Sequence, residues 1–121
     1  MDSLYNMLFA TATAADRPLA ATADFKRLMG QVLKDCFVDA RPAYLRDVQA
    51  YVAPWAGRLN NIQVQTHLWH GDQDNWAPMA MSQYLKAHLP ESSVLHALQG
   101  LSHYSCLYAA APRICAQIQH S

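Results

Sequence analysis

Two short stretches that read as strands, 62–69 and 93–98, flank one amphipathic helix, and this order constrains the chain more than any other feature. In the first stretch Ile62, Val64, Thr66 and Leu68 fall on one side, the period-two pattern of a strand. Met81, Tyr84, Leu85, His88 and Leu89 recur at helical spacing and stop near Pro90. Leu107, Tyr108, Ala111, Ile114, Cys115 and Ile118 mark a closing helical face, whose main portion is expected to start at Pro112. A helical crossover between neighbouring strands implies a parallel pair in a right-handed unit. Two parallel strands are too few for a stable sheet by themselves. Either residues 1–60 cover both faces, or the sheet continues in another chain.

Residues 1–59 read as helical. Leu4, Tyr5, Leu8, Phe9 and Ala12 share one face, and Arg17-Pro18 opens a connector. The strongest helix pattern follows: Phe25, Leu28, Met29, Val32, Leu33, Cys36 and Phe37 keep an unbroken three-four spacing, with Asp24 as the expected N-cap. Tyr44, Leu45, Val48, Tyr51 and Val52 predict another helix, ended by Pro54. At 121 residues the chain suits one domain, with a helical segment over 1–59 and the strand-bearing part over 60–121.

In α/β folds, chemistry collects in loops after the carboxyl ends of parallel strands. Two such loops are legible. One is His70-Gly71-Asp72-Gln73-Asp74-Asn75-Trp76-Ala77-Pro78, and the other is Gln99-Gly100-Leu101-Ser102-His103-Tyr104-Ser105. Leu68-Trp69-His70-Gly71-x-x-Asp74-x-x-x-Pro78 resembles the acid-bearing loop of α/β-hydrolases, and Gly100-x-x-His103 resembles their histidine loop. The resemblance extends over residues 60–120, and the helical first half looks like a cap region. It implies the C-terminal portion of an α/β-hydrolase fold, with Asp74 as the triad acid and His103 as the triad base. Asp72 is the competing carboxylate. In such a triad the acid holds one histidine tautomer and stabilises the imidazolium that forms during acyl transfer.

The nucleophile station is missing. That family carries its serine on a G-x-S-x-G turn upstream of the acid. The four glycines here are Gly30, Gly57, Gly71 and Gly100, and none upstream of Asp74 opens such a motif. Met1 falls after the region where the turn and the oxyanion loop belong, so a truncated fold is expected. Gly100-Leu101-Ser102-His103-Tyr104 is half an elbow, but Tyr104 would crowd the tight turn. Cys36 sits on an apolar helix face and reads as a core thiol. The expectation is a hydrolase-like protein that is not an autonomous hydrolase. The rival readings are a segment of a serine hydrolase completed by missing residues or a partner chain, and a small-molecule binding module using Trp55, Trp69 and Trp76. His70 and Trp76 are the candidate binding residues.

No metal or other cofactor is expected. His67, His70, Asp72 and Asp74 have suggestive spacing, but strand residues three apart point to opposite faces. Nine basic and nine acidic residues leave no net charge, so nucleic acid and membrane surfaces are not expected partners. Only 15% of residues are charged, below the usual quarter, which leaves apolar surface for a partner. The open edge of strand 62–69 makes a homo-oligomer, simplest as a homodimer, the expected assembly. Three scattered cysteines without a C-x-x-C, and no basic leader before an apolar run, predict a cytoplasmic protein with reduced thiols.

Overall fold

A computed structural model describes residues 2–119. Six α-helices and two strands follow in the order α1 (Asp2–Phe9), α2 (Arg17–Ala20), α3 (Ala23–Lys34), α4 (Arg41–Val52), β1 (His67–Gly71), α5 (Met79–His88), β2 (Val94–Leu98) and α6 (His103–Gln119). A π-helical turn, Asp35–Asp39, joins α3 to α4, and a 3-10 turn, Ala56–Asn61, follows α4. The chain is a mixed α/β structure with a small parallel sheet. β1 pairs with β2 in register His67 to Val94 through Gly71 to Leu98.

Several boundaries differ from the sequence expectations, each for a local reason. β1 covers 67–71 rather than 62–69, because its partner is only five residues long. Ladder-like pairing ends at Thr66, whose N–H donates to Ser93 Oγ and whose carbonyl accepts from Val94. Val64 is left exposed. Helix α3 is capped by Thr22, whose hydroxyl accepts from Phe25 N–H, so Asp24 falls inside the first turn and pairs with Arg27. The connector after Arg17 folds as the short helix α2, with Pro18 in its first turn. Helix α6 starts at His103, so Pro112 lies inside it; Pro112 is exposed there, where a lost ladder bond is best tolerated.

The core is small. Tyr5, Phe25, Met29 and Leu33 form its buried centre, with Leu4, Leu8, Phe9, Leu19, Phe37 and Tyr104 packed around it. The three-four pattern of α3 is therefore buried along only one row: Leu28 and Val32 on the adjoining row are exposed. Helix α4 buries no residue, and Tyr51 and Val52 on its apolar face are 68% and 73% exposed. The total surface is 8457 Å², whereas a compact monomer of 13.5 kDa exposes about 6,500 Å². Helix α5 packs on both strands and α6 packs on β1, but the other edge of β1 has no strand beside it among the described residues.

Candidate functional site

The two loops expected to carry chemistry meet. Asp72 N–H donates to Leu98 O, Gln73 N–H to Leu101 O at 2.9 Å, and Gly100 N–H to the Asp72 carboxylate at 2.7 Å. Gly71 permits this approach. A Cβ there would collide with the Leu101 main chain and lie 2.8 Å from Ser102 O. Gly100 turns the second loop with φ +73°, the left-handed region that glycine enters without penalty.

The carboxylates divide their work. Asp72 ties loop to loop, while Asp74 reaches His103: its Oδ2 accepts from His103 Nδ1 at 2.8 Å. Asp74 Oδ1 accepts from Trp76 N–H and Ala77 N–H at 2.8 and 2.9 Å. Its side chain is only 6% exposed. Burial pushes the Asp74 carboxyl up, but the Ala77 N–H, the His103 ring and the Trp76 N–H together overcome this and hold it below its ordinary range. A carboxylate accepts only, so Nδ1 of His103 carries a proton, and in the neutral ring Nε2 keeps its lone pair. The ring is 42% exposed and Nε2 has no hydrogen-bond partner among the described residues.

His70 is buried and serves as a bracket. Ala77 O accepts only, so His70 Nε2 donates to it at 2.7 Å, and Nδ1 accepts from the Ser82 hydroxyl at 2.6 Å. Both nitrogens are committed to holding the 71–78 loop on α5. Trp76 packs at the other side, its ring 5.2 Å from that of His103 and 5.7 Å from Phe9.

Asp16 has no local sequence signal, yet it positions His103. It is 4% exposed, and its two oxygens accept from Tyr104 N–H at 3.1 Å and Ser105 N–H at 2.8 Å. These are orphan donors in the first turn of α6, where a negative charge also complements the helix dipole. With Asn75 donating to Thr11 O, Asp16 fastens both loops to the helical first half.

Beside the dyad lies a cleft of about 290 Å³, lined by Trp69, His103, Cys106, Leu107, Ala110 and Ile114 among others. No hydroxyl or thiol hydrogen-bonds to His103 among the described residues. Ser102 Oγ is fully buried with no hydrogen-bond partner among the described residues, and Ser105 Oγ accepts from Ser102 N–H. Burial, then the Asp74 and Asp16 carboxylates, raise the Cys106 thiol and keep it protonated. The three tryptophans do not share one cavity. Trp69 lines the cleft, Trp55 lies in a separate groove with Tyr51, Met81 and Tyr84, and Trp76 packs on Phe9 and Tyr104. Compared with known protein families, curated proteins and solved structures, the chain shows no significant match.

Proposed function

We propose that this chain is an α/β-hydrolase-like protein that carries the acid and base of an acyl-transfer site and no nucleophile, and that it turns over no ester by itself. The observation behind this reading is the Asp74–His103 pair. A buried, doubly anchored carboxylate holds Nδ1–H and leaves the basic Nε2 open to a cleft. That is the arrangement a general base requires. A base with no hydroxyl or thiol bonded to it among the described residues has nothing positioned to deprotonate, and so lacks the nucleophile that acyl-transfer catalysis needs.

The second reading has its own support. The surface exceeds that of a compact monomer by about 2,000 Å² per chain, the scale buried in obligate interfaces. The free edge of β1 leads to the Asp74 loop, so an added strand from another polypeptide would end beside the dyad. In this reading a partner chain, or a second copy, completes a serine-hydrolase site. The test is hydrolysis of p-nitrophenyl acetate by the purified chain, beside His103→Ala, on a peak whose mass is known from light scattering. The first reading expects at most the slow, non-saturating rate of a free imidazole, with no acyl group left on a serine or cysteine. A saturable rate that is abolished by His103→Ala and passes through an acyl-serine or acyl-cysteine would overturn it. A dimer whose turnover needs both copies would establish the second.

A further inference from the structure

The geometry points to a site for a divalent transition metal, copper(II) before zinc, formed by His67 and His96 on one face of the sheet. His67 is opposite Val94 in the parallel register, so His96, two residues further along β2, emerges on the same face. Their rings are hydrogen-bonded to each other, Nδ1 of His67 to Nε2 of His96 at 3.0 Å, so a metal ion would take the place of the shared proton. This is not the His67/His70 grouping that the sequence spacing invites, because His70 points to α5 and spends both nitrogens there.

Metal–imidazole bonds are about 2.0–2.1 Å, so two nitrogens at about 90° on one metal stand about 2.9 Å apart, and at a tetrahedral angle about 3.4 Å. The 3.0 Å of the hydrogen-bonded pair is close to the cis spacing of a tetragonal site, so a metal could replace the proton with little change in the separation of the two nitrogens. Tetragonal nitrogen and oxygen ligation is the preference of copper(II) and nickel(II), and copper(II) heads the affinity order for such ligands. The two ring planes are 25° apart, so a swing of each ring turns both lone pairs toward one point outside the pair. Trp69 stacks on His96 at 4.0 Å and 14°, which fixes the inner ligand, while exposed His67 leaves the other positions to water. No third histidine, cysteine or carboxylate converges with them among the described residues, so the ion would bind exchangeably. His67 lies at the start of β1, roughly 13 Å along the strand from Gly71, and His96 is level with Trp69, roughly 7 Å from Gly71; neither histidine hydrogen-bonds to Asp74 or His103 among the described residues.

The test titrates the whole chain with copper(II) sulfate, and separately with zinc chloride, while histidine and indole resonances are followed. Substoichiometric copper is expected to broaden His67, His96 and the Trp69 indole first, saturating near one equivalent, with zinc binding more weakly. His67→Asn and His96→Asn should each weaken copper binding at least about tenfold, since losing even an outer-shell partner costs a metal site that much. His88→Asn, whose ring is held by its own helix at Tyr84 O, should leave it unchanged. Broadening that begins at His88 or His103, equal broadening of all histidines, or an affinity unmoved by both variants would overturn the site. The wild-type broadening pattern decides the matter even if a variant fails to fold.

Discussion

Asp16 offers a sharp test of how the helical half supports the site. In Asp16→Ala, Tyr104 N–H and Ser105 N–H lose their acceptor at the buried start of α6. A hydrogen bond to a charged group contributes about 1.5–3 kcal/mol, and loss of a helix cap costs about 1 kcal/mol. The two figures describe the same bonds and do not add. Part of the loss is returned because a buried carboxylate no longer has to be desolvated. The expected net destabilisation is about 2–3 kcal/mol, which moves a urea midpoint down by about 1–2 M at the usual slope for a small protein. Asp16→Asn keeps one acceptor oxygen and should lose about half as much. Urea unfolding followed by circular dichroism gives the midpoints, and hydrogen exchange at the Tyr104 and Ser105 amides localises the effect. A change under about 0.5 kcal/mol, the range of an ordinary surface substitution, with unchanged exchange at both amides, would refute the bridge.

Three further outcomes are expected. Gly71→Ala drives a methyl group into the Leu101 and Ser102 main chain and should cost about 2–3 kcal/mol, measured by urea unfolding; a cost under about 0.5 kcal/mol would contradict the close approach of the two loops. Ser102→Ala removes a buried hydroxyl that has no partner among the described residues, so stability should stay level or rise by up to about 1 kcal/mol; a loss larger than that would reveal a bond not accounted for. Because the folded Asp74 carboxyl titrates below its ordinary 3.8, its bonds contribute fully above that pH, and their contribution is lost as pH falls through the lower folded value. The stability gap between wild type and Asp74→Asn should therefore narrow only on acidification below about pH 4; a gap that narrows near neutrality instead would contradict this.

What the sequence disclosed depended on how local the cause was. Asp74 and His103 were legible because each follows a strand and a glycine, and the structure joins them at 2.8 Å. The parallel pairing was legible from element order alone. Asp16 was not, since its partners lie 88 and 89 residues away and nothing around Asp16-Arg17-Pro18 distinguishes it from a connector. The same limit hid His67–His96: sequence spacing compares His67 with His70 on one strand, whereas the meeting depends on the register between two. Strand length failed for a related reason. Residues 62–66 alternate properly, but a ladder extends only as far as its neighbour, and β2 starts at Val94. Helix α4 shows the converse, in that its apolar residues predict the helix correctly and leave open what covers them.

The central claim is a base without a nucleophile. The most direct measurement is the intact mass of the chain after incubation with an alkyl fluorophosphonate, which esterifies an activated serine. The account predicts an unchanged mass at a reagent concentration that labels a working serine hydrolase completely. A stoichiometric adduct that maps to one serine and vanishes in His103→Ala would contradict it, and would identify the nucleophile that the described geometry does not contain.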